Sequence, residues 1–175
     1  FQYVYKTNYL FFKMEKDEKK LEKVKRDYET LRKKYSLPDF RKLNEDFCIE
    51  KTAESETEIL IREVRKLVGD KMINYMRFIE NLINPVNVPM FVFSIIKLLD
   101  GEQKKKLSEI YKELIKKEVQ FIELDLQFDE KKEAEFIKDS YESWQGIKND
   151  LLNIIGKINK KWDDKSEVSS KGYFG

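Results

Sequence analysis

The side chains best suited to chemistry in this 175-residue chain are carboxylates spaced three or four residues apart. Such pairs can act as general acid and base, or as oxygen ligands for magnesium or calcium, when they face the inside of a fold. The four pairs are Glu54 with Glu58, Glu109 with Glu113, Glu130 with Glu133, and Glu135 with Asp139. Each lies near lysines in a stretch of helical period, so we interpret them as salt-bridged helix surface rather than as a metal or catalytic site.

Histidine is absent from the sequence, which removes the commonest general base and metal ligand of proteins. Helical di-metal sites need Glu-x-x-His motifs, so that class of site is excluded. Cys48 lies near Asp46 and Glu50, whose negative charges disfavour a thiolate, and we expect a semi-buried structural thiol rather than a nucleophile. The six glycines form no phosphate-binding loop. We therefore expect a protein that is not an enzyme and that holds no cofactor and no metal.

The composition is that of long amphipathic helices. Charged residues make up 39% and apolar residues 41% of the chain, while only six residues are glycine and three are proline. A single cysteine excludes an internal disulfide and is typical of a reducing compartment. We see neither a signal peptide nor a long apolar span, so we expect a cytoplasmic protein without a membrane contact. The abundance of Lys and Glu is also typical of proteins from heat-loving organisms.

Apolar residues recur at a spacing of three and four along most of the chain, which predicts an all-α fold. We expect a bundle of about five helices in a single domain over residues 14–162. The predicted helices are four long ones near 14–35, 56–83, 102–127 and 130–162, and a central apolar one at 88–100. Lys97 is the only charge between Val88 and Leu99, so we expect this stretch to be the buried centre of the bundle.

Local signals define the predicted helix ends. The stop signals are Pro38 and Asn84-Pro85, and the start signals are a capping box of Ser55 with Glu58 and an N-cap at Asp129. Proline stops a helix because it disfavours helical backbone in the residue before it. The capping residues start a helix because their side chains accept bonds from its first N–H groups.

Glycine marks three further points in the helical pattern. Asp100-Gly101 is expected to form a turn or a helix C-cap. Gly146 and Gly156 interrupt the strongest helical stretch, where each costs about 1 kcal/mol relative to alanine. We therefore expect another helix to cross closely at these two glycines.

The two ends of the chain have compositions of their own. Residues 1–13 contain six aromatic side chains, and two interpretations stand: an arm that docks on another subunit, or a start that is not native. Phe1, Tyr3 and Tyr5 alternate as in a strand, and minor strand pairing of this arm with the alternating residues 122–128 is the one exception to an all-helical chain. Residues 163–175 are mostly polar and predict a flexible tail.

The first and last long helices each carry an apolar seam of heptad spacing, which is typical of helices that pack against one another. The interface candidates are Leu21, Val24, Tyr28, Leu31 and Tyr35 in the first helix and Trp144, Leu151, Ile155 and Trp162 in the last. Asp17 and Lys148 interrupt the two seams, and we expect them to form a buried polar pair. Two such seams exceed what one small bundle can hide.

These patterns favour a non-enzymatic helical interaction or scaffold protein, most simply a homodimer, that could also bind an unknown protein partner. The alternative is a nucleic-acid or ribonucleoprotein-binding protein that uses the basic first helix. Residues 1–35 carry eleven Lys or Arg against six acids. The residues of this alternative surface are Lys19, Lys20, Lys23, Arg26, Lys33 and Lys34. The interspersed acids and the lack of a recognised binding motif weaken it.

Overall fold

The computed structural model describes the backbone of residues 2–55, 59–86 and 88–171, and the side chains of 16–55, 59–86 and 88–162. These parts of the chain contain six α-helices, one short 3-10 helix and no strand. The α-helices are α1 Gln2–Tyr35, α2 Phe40–Phe47, α3 Leu60–Ile83, α4 Met90–Ile96, α5 Gly101–Leu126 and α6 Glu130–Lys171, and the 3-10 helix is Ile49–Glu54. The all-α prediction is confirmed.

Two of the predicted stop signals end helices as expected. α1 ends at Tyr35, after which Ser36 adopts a left-handed backbone with φ 55°. The Leu37 N–H then donates to the Arg32 carbonyl at 3.2 Å, which is the bond that closes a Schellman motif. α3 ends at Ile83, directly before Asn84-Pro85. Both ends follow from the local sequence.

Asp129 is the N-cap of α6, as predicted. Its Oδ1 accepts hydrogen bonds from the backbone N–H groups of Lys131 and Lys132, both at 3.0 Å. These bonds satisfy two of the four N–H groups that a helix start leaves without intrahelical partners. The predicted capping box of Ser55 with Glu58 reaches outside the described residues, since 56–58 are not among them, and α3 is assigned from Leu60.

Asp100 forms an N-cap of α5 instead of the expected turn or C-cap. Its Oδ1 accepts the Gln103 N–H at 2.9 Å, and Gln103 Oε1 accepts the Asp100 N–H at 2.9 Å. This reciprocal pair is a capping box, whose three-residue spacing was visible in the sequence. The bond from the Gln103 backbone also lowers the pKa of the Asp100 carboxyl.

Both long terminal helices extend beyond their predicted limits. α1 begins at Gln2, so residues 2–13 are helical and do not form the alternative strand, while Phe1 lies outside the described residues. α6 continues to Lys171, past the end predicted at 162, and residues 172–175 lie outside the description. The docking of the N-terminal arm on another subunit stays a prediction.

The chain divides into two compact units, and each is assembled from two stretches of sequence. Unit 1 consists of Phe1–Lys71 and Phe121–Tyr141, and unit 2 of Met72–Gln120 and Glu142–Gly175. The helices α3, α5 and α6 therefore each contribute residues to both units. The single domain expected over residues 14–162 stays a prediction.

Unit 1 has a core in which α1 is held by Tyr28. This side chain is fully buried, its hydroxyl donates to the Pro38 carbonyl at 2.8 Å, and its ring meets Phe40 edge-on with centroids 5.4 Å apart. Burial raises the pKa of the Tyr28 phenol far above its usual range. Leu43 and Ile49 are also fully buried, so the segment that follows α1 is part of the same core.

Unit 2 has a separate apolar core from α3, α5 and α6. Met72, Ile79 and Leu107 are buried in it. The Trp144 ring lies against the Tyr75 ring, with centroids 5.0 Å apart and an angle of 57° between the planes. Such tilted aromatic pairs contribute about 0.5–1.5 kcal/mol beyond their buried area.

The prediction that the central apolar stretch is the buried centre of the fold was wrong. α4 spans only seven residues, and Val92 is the one buried side chain within it. Met90 is 81% and Phe91 is 63% exposed. The physical reason is length: a helix of two turns presents one side to its neighbours, and the core of unit 2 is already built from longer helices.

No helix in the described part of the chain is long and apolar enough to span a membrane.

Two smaller expectations are also corrected. Neither Gly146 nor Gly156 is crossed closely by a described part of the chain, since an added Cβ would meet no described atom within 4 Å. The close approach is at Gly69 instead, where an added Cβ would lie 2.1 Å from Cδ2 of Phe121. Cys48 is exposed rather than semi-buried, because it occupies the left-handed turn between α2 and the 3-10 helix.

Candidate functional site

A buried ion cluster in unit 1 is the most distinctive local chemistry of the structure. Arg65 lies on the core-facing side of α3 and donates from Nε to Glu133 Oε2 at 2.7 Å. Its Nη2 donates to Asp125 Oδ1 at 2.6 Å. The side chains of Arg65 and Glu133 are both 0% exposed, while that of Asp125 is 45% exposed. One guanidinium therefore joins α3 to the end of α5 and the start of α6.

An aromatic ring completes the enclosure of Arg65. The guanidinium carbon lies 4.3 Å from the centroid of the Phe121 ring, a distance at which a desolvated cation–π contact contributes about 2 kcal/mol. The same ring packs on Gly69, where no side chain fits, and lies 6.2 Å from the Phe136 ring. Gly69 is therefore the residue that allows Phe121 to cover the ion pair.

The hydrogen bonding inside this cluster is incomplete. Arg65 Nη1 and Glu133 Oε1 are buried without a hydrogen-bond partner among the residues that the structure describes. Burial raises the pKa of Glu133, and this effect exceeds the lowering caused by the bond from Arg65. Desolvation is thus the larger influence on this carboxyl. Breaking a buried pair of this kind strongly destabilises a protein, although the intact pair adds little net stability.

The cluster is suited to holding helices together rather than to catalysis. Its central charges are fully enclosed, so a substrate would reach them only if the helices separated. Glu130, the predicted fellow of Glu133, is half-buried and lies 3.2 Å from Lys34. The other predicted carboxylates that the structure describes are exposed, and Glu135 lies 3.9 Å from Lys131; Glu58 lies outside the described residues. Within the described ranges, no group of three His, Cys, Asp or Glu side chains is placed to hold a metal ion.

The sequence reasoning did not identify Arg65, although a signal was present. The residue stands four positions after Ile61 and three before Val68, on the apolar face that the periodicity assigns to the core of unit 1. A charge on such a face predicts a buried partner of opposite charge. The sequence predicts Glu133 only as part of a surface pair with Glu130. Its contact with Arg65 was not predicted because the two residues are 68 positions apart in the sequence.

Exposed apolar side chains form the second notable feature, and they are concentrated in unit 2. Thirteen large hydrophobic side chains are exposed in the described part of the chain: four in unit 1 and nine in unit 2. Those of unit 1 are Ile59, Ile122, Leu126 and Phe128, and those of unit 2 are Phe78, Val86, Met90, Phe91, Phe93, Val119, Leu152, Ile155 and Trp162. Exposed apolar side chains mark an interaction surface where they lie side by side, whereas scattered ones are normal.

Within unit 2, α6 has two apolar faces where the sequence reasoning saw one. The inner face consists of Trp144, Ile147, Leu151 and Ile154, which are buried against the unit. The outer edge consists of Leu152, Ile155 and Trp162, which are 59%, 42% and 50% exposed. We call these three residues, together with Asn159 between them, the α6 outer edge. The periodic pattern merged the two faces because they overlap on the same helix.

The predicted interface residues fall into three groups in the structure. Tyr28, Trp144 and Leu151 are buried by their own chain. The half-buried residues are Leu21, Val24, Leu31 and Tyr35 of α1. Ile155 and Trp162 are exposed. Of the nine predicted interface residues, these last two present the most surface to solvent.

The two expected polar residues and the basic residues of α1 are all on the surface. Asp17 belongs to unit 1 and Lys148 to unit 2, and both are exposed, so neither is buried within its unit and their pairing stays a prediction. All six residues of the basic alternative are exposed. Lys34 Nζ is engaged with Glu130 at 3.2 Å, which reduces the charge available at that end of the surface.

Comparison with known proteins gave no relatives: no family model, no curated protein and no solved structure matches this chain.

Proposed function

We propose that this chain is a non-enzymatic, cytoplasmic helical interaction protein that acts as a homodimer. The observation that carries the proposal is the α6 outer edge, where apolar residues are exposed at seam spacing beside the buried inner face of the same helix. An apolar face wider than one neighbour covers needs a second neighbour. One neighbour is the core of unit 2, and the second is the partner that we propose.

A second copy of the chain is the occupant that best fits this edge. Leu152, Ile155 and Trp162 follow one another at intervals of three and seven residues, which matches the heptad seam of a two-stranded contact between like helices. Isologous contacts of this kind are the commonest form of protein association, because a single surface patch serves both subunits.

The size of the contact limits what the α6 outer edge can do alone. An ordinary stable interface buries about 800 Å² per partner, and three half-exposed side chains supply on the order of 300 Å². The contact must therefore include further surface, and the half-buried seam residues of α1 remain predicted contributors. A modest affinity, in the range of weak or transient association, follows if they do not contribute.

Light scattering coupled to gel filtration tests the proposal directly. The wild-type chain, of 21.1 kDa, is expected to approach twice that mass as its concentration rises. Ile155→Glu and Trp162→Glu should each weaken dimerisation by about 100-fold, because an unpaired charge in an apolar contact costs about 3 kcal/mol.

The matched control is Asn153→Glu, which places the same charge on an exposed position of α6 away from the outer edge. It should leave the mass of the dimer unchanged. A wild-type chain that remains a monomer at the highest attainable concentration would rule the proposal out.

We propose the basic surface of α1 as a second candidate function, binding nucleic acid or a ribonucleoprotein. Its support is that Lys19, Lys20, Lys23, Arg26 and Lys33 are exposed along one helix. Binding through phosphate contacts should fall steeply as salt rises. A gel-shift assay with mixed RNA and duplex DNA at low salt would eliminate this candidate if no complex forms.

A further inference from the structure

A polar cleft lies in unit 2, between the first turns of α5 and residues 150–157 of α6. Its volume is about 330 Å³, which is within the range of small-molecule sites. One part of the wall is apolar and is supplied by the buried side chain of Ile154. The charged residues of the wall are three lysines and three acids, which leave it without net charge: Lys105, Lys106, Lys157, Glu102, Glu109 and Asp150.

The two helices run in opposite directions along the cleft. Lys106 Nζ lies 3.1 Å from Asp150 Oδ2, while Lys161 Nζ lies 3.2 Å from Asp100 Oδ2, just before α5 begins. Residue numbers therefore rise along α6 as they fall along α5. Lys157 consequently lies at the end of the cleft that the first turn of α5 forms.

Gln103 brings a hydrogen-bond donor without a partner to this end of the cleft. The residue is part of the cleft wall and is only 2% exposed. The capping box fixes its amide, because Oε1 accepts the Asp100 N–H and the NH2 group is left over. Gln103 Nε2 has no hydrogen-bond partner among the residues that the structure describes. A buried donor is costly to leave unpaired, so an acceptor bound in the cleft would be favoured.

The two ends of the cleft attract opposite charges. Lys157 forms no ion pair in the described part of the chain, and it acts together with the N-terminus of α5, which favours negative charge. Glu109 likewise forms no ion pair with a described residue. It lies six residues along α5 from Gln103, which corresponds to about 9 Å. One end is therefore suited to a carboxylate and the other to an ammonium group.

We propose that this cleft binds a small zwitterion with a free carboxylate and a free ammonium group, of the class of amino acids and peptides of two or three residues. The carboxylate accepts hydrogen bonds from Gln103 Nε2 and Lys157 Nζ, and the ammonium donates to Glu109. Both groups of such a ligand are charged near neutral pH. An extended chain of three residues spans about 10 Å, which fits the distance between the two ends. Glu102, next to Gln103, disfavours a dianion such as phosphate at the carboxylate end.

Titration of triglycine into the complete, 15N-labelled chain tests the proposal by NMR. The side-chain NH2 signals of Gln103 report on the donor itself, and we expect them to shift and saturate. Triglycine amide lacks the carboxylate and N-acetyltriglycine lacks the ammonium. Each should bind at least about tenfold more weakly, because a charge-assisted hydrogen bond is lost. Glycine identifies the source of the ligand: saturation at similar concentrations indicates an amino acid, and saturation by triglycine alone indicates a peptide.

Two substitutions test the residues that would hold the carboxylate. Gln103→Glu keeps an oxygen for the Asp100 N–H, and with it the capping box, but replaces the NH2 donor by a second oxygen. It should abolish binding in a chain that still melts cooperatively. Lys157→Met should weaken binding at least about tenfold. Lys160→Met, which removes an exposed lysine of α6 outside the cleft wall, should leave binding unchanged.

Several results would overturn the proposal. These are Gln103 signals that do not shift at the highest soluble concentration of triglycine, a capped peptide that binds as tightly as triglycine, or a Lys157→Met variant that binds as well as Lys160→Met. Inorganic phosphate that binds as tightly as triglycine would indicate a simple anion site and would also overturn it. None of these readouts depends on the mass of the particle, so the proposed homodimer stands or falls separately.

Discussion

In unit 1 a guanidinium and a carboxylate are completely enclosed, whereas in unit 2 methionine, phenylalanine and tryptophan side chains face outward. The two units are built partly from the same three helices, so the difference does not come from secondary structure. The difference between the units comes from the side chains: each half of a shared helix places different residues toward the helices that pack on it. Unit 1 therefore encloses charge within its own packing, whereas unit 2 exposes large apolar side chains at its surface.

The largest expected effect comes from removing the buried guanidinium. Arg65→Met should destabilise the protein by about 3–5 kcal/mol, because Glu133 is left buried without its partner. Arg65→Met combined with Glu133→Leu should lose much less than the sum of the single changes, since neither charge then remains. Urea denaturation followed by circular dichroism measures the free energy of unfolding of Arg65→Met, Glu133→Leu and the double variant.

An exposed ion pair provides the control for that prediction. Arg41→Met removes a partner of Glu45, 3.2 Å away at the surface, and should change stability by less than about 1 kcal/mol. If Arg65→Met behaved like Arg41→Met, the buried cluster would not define the packing of unit 1, and the contrast between the units would fail.

A smaller effect is expected at Gly69. Gly69→Ala should destabilise the protein by about 1–3 kcal/mol, because its Cβ would overlap Phe121, which is held between Arg65 and Phe136. Gly146→Ala is the matched change in open space and should be neutral or stabilising by up to about 1 kcal/mol. Thermal melting of the two variants tests this prediction. If Gly69→Ala melted at a temperature no lower than Gly146→Ala, the overlap with Phe121 would not be costly.

The smallest effect is a pH dependence from Glu133. Its pKa is raised in the folded protein above the ordinary value of 4.5, so the folded state binds the proton more readily than the unfolded state. This group therefore contributes stability that is complete below pH 4.5 and is lost as the pH rises through the folded pKa. Glu133→Gln removes this titration.

A direct comparison of two denaturation series tests that sign. The stability of the wild type relative to Glu133→Gln should increase as the pH falls from neutral toward 4. The opposite trend would mean that the pairing with Arg65 outweighs burial at this carboxyl. The ion cluster would then be better solvated than its enclosure indicates.

Helix positions and ends were largely predictable because their causes are local. Asp129 caps α6 through bonds to residues two and three positions ahead, and Pro38 and Pro85 act on their immediate neighbours. The interpretation of Asp100 was wrong for a related reason. Two local signals competed there, and the capping box with Gln103 overrode the turn signal of the following glycine.

Burial was harder to predict because it depends on contacts far apart in sequence. Apolar composition indicated that Val88–Leu99 would be central, yet Met90 and Phe91 are among its exposed residues. Arg65 shows the reverse error, since its partners Asp125 and Glu133 lie on other helices. On α6, periodicity identified Ile155 and Trp162 but could not separate the outer edge from the inner face, because both obey the same spacing.

The way the chain passes between the units has a practical consequence. Each unit is assembled from two non-contiguous stretches, and the changes from one unit to the other fall inside α3, α5 and α6 rather than in loops. No single gene fragment therefore encodes either unit by itself, and a protease that cuts only exposed loops cannot release one from the other. Dissecting the roles of the two halves requires point substitutions in the intact polypeptide.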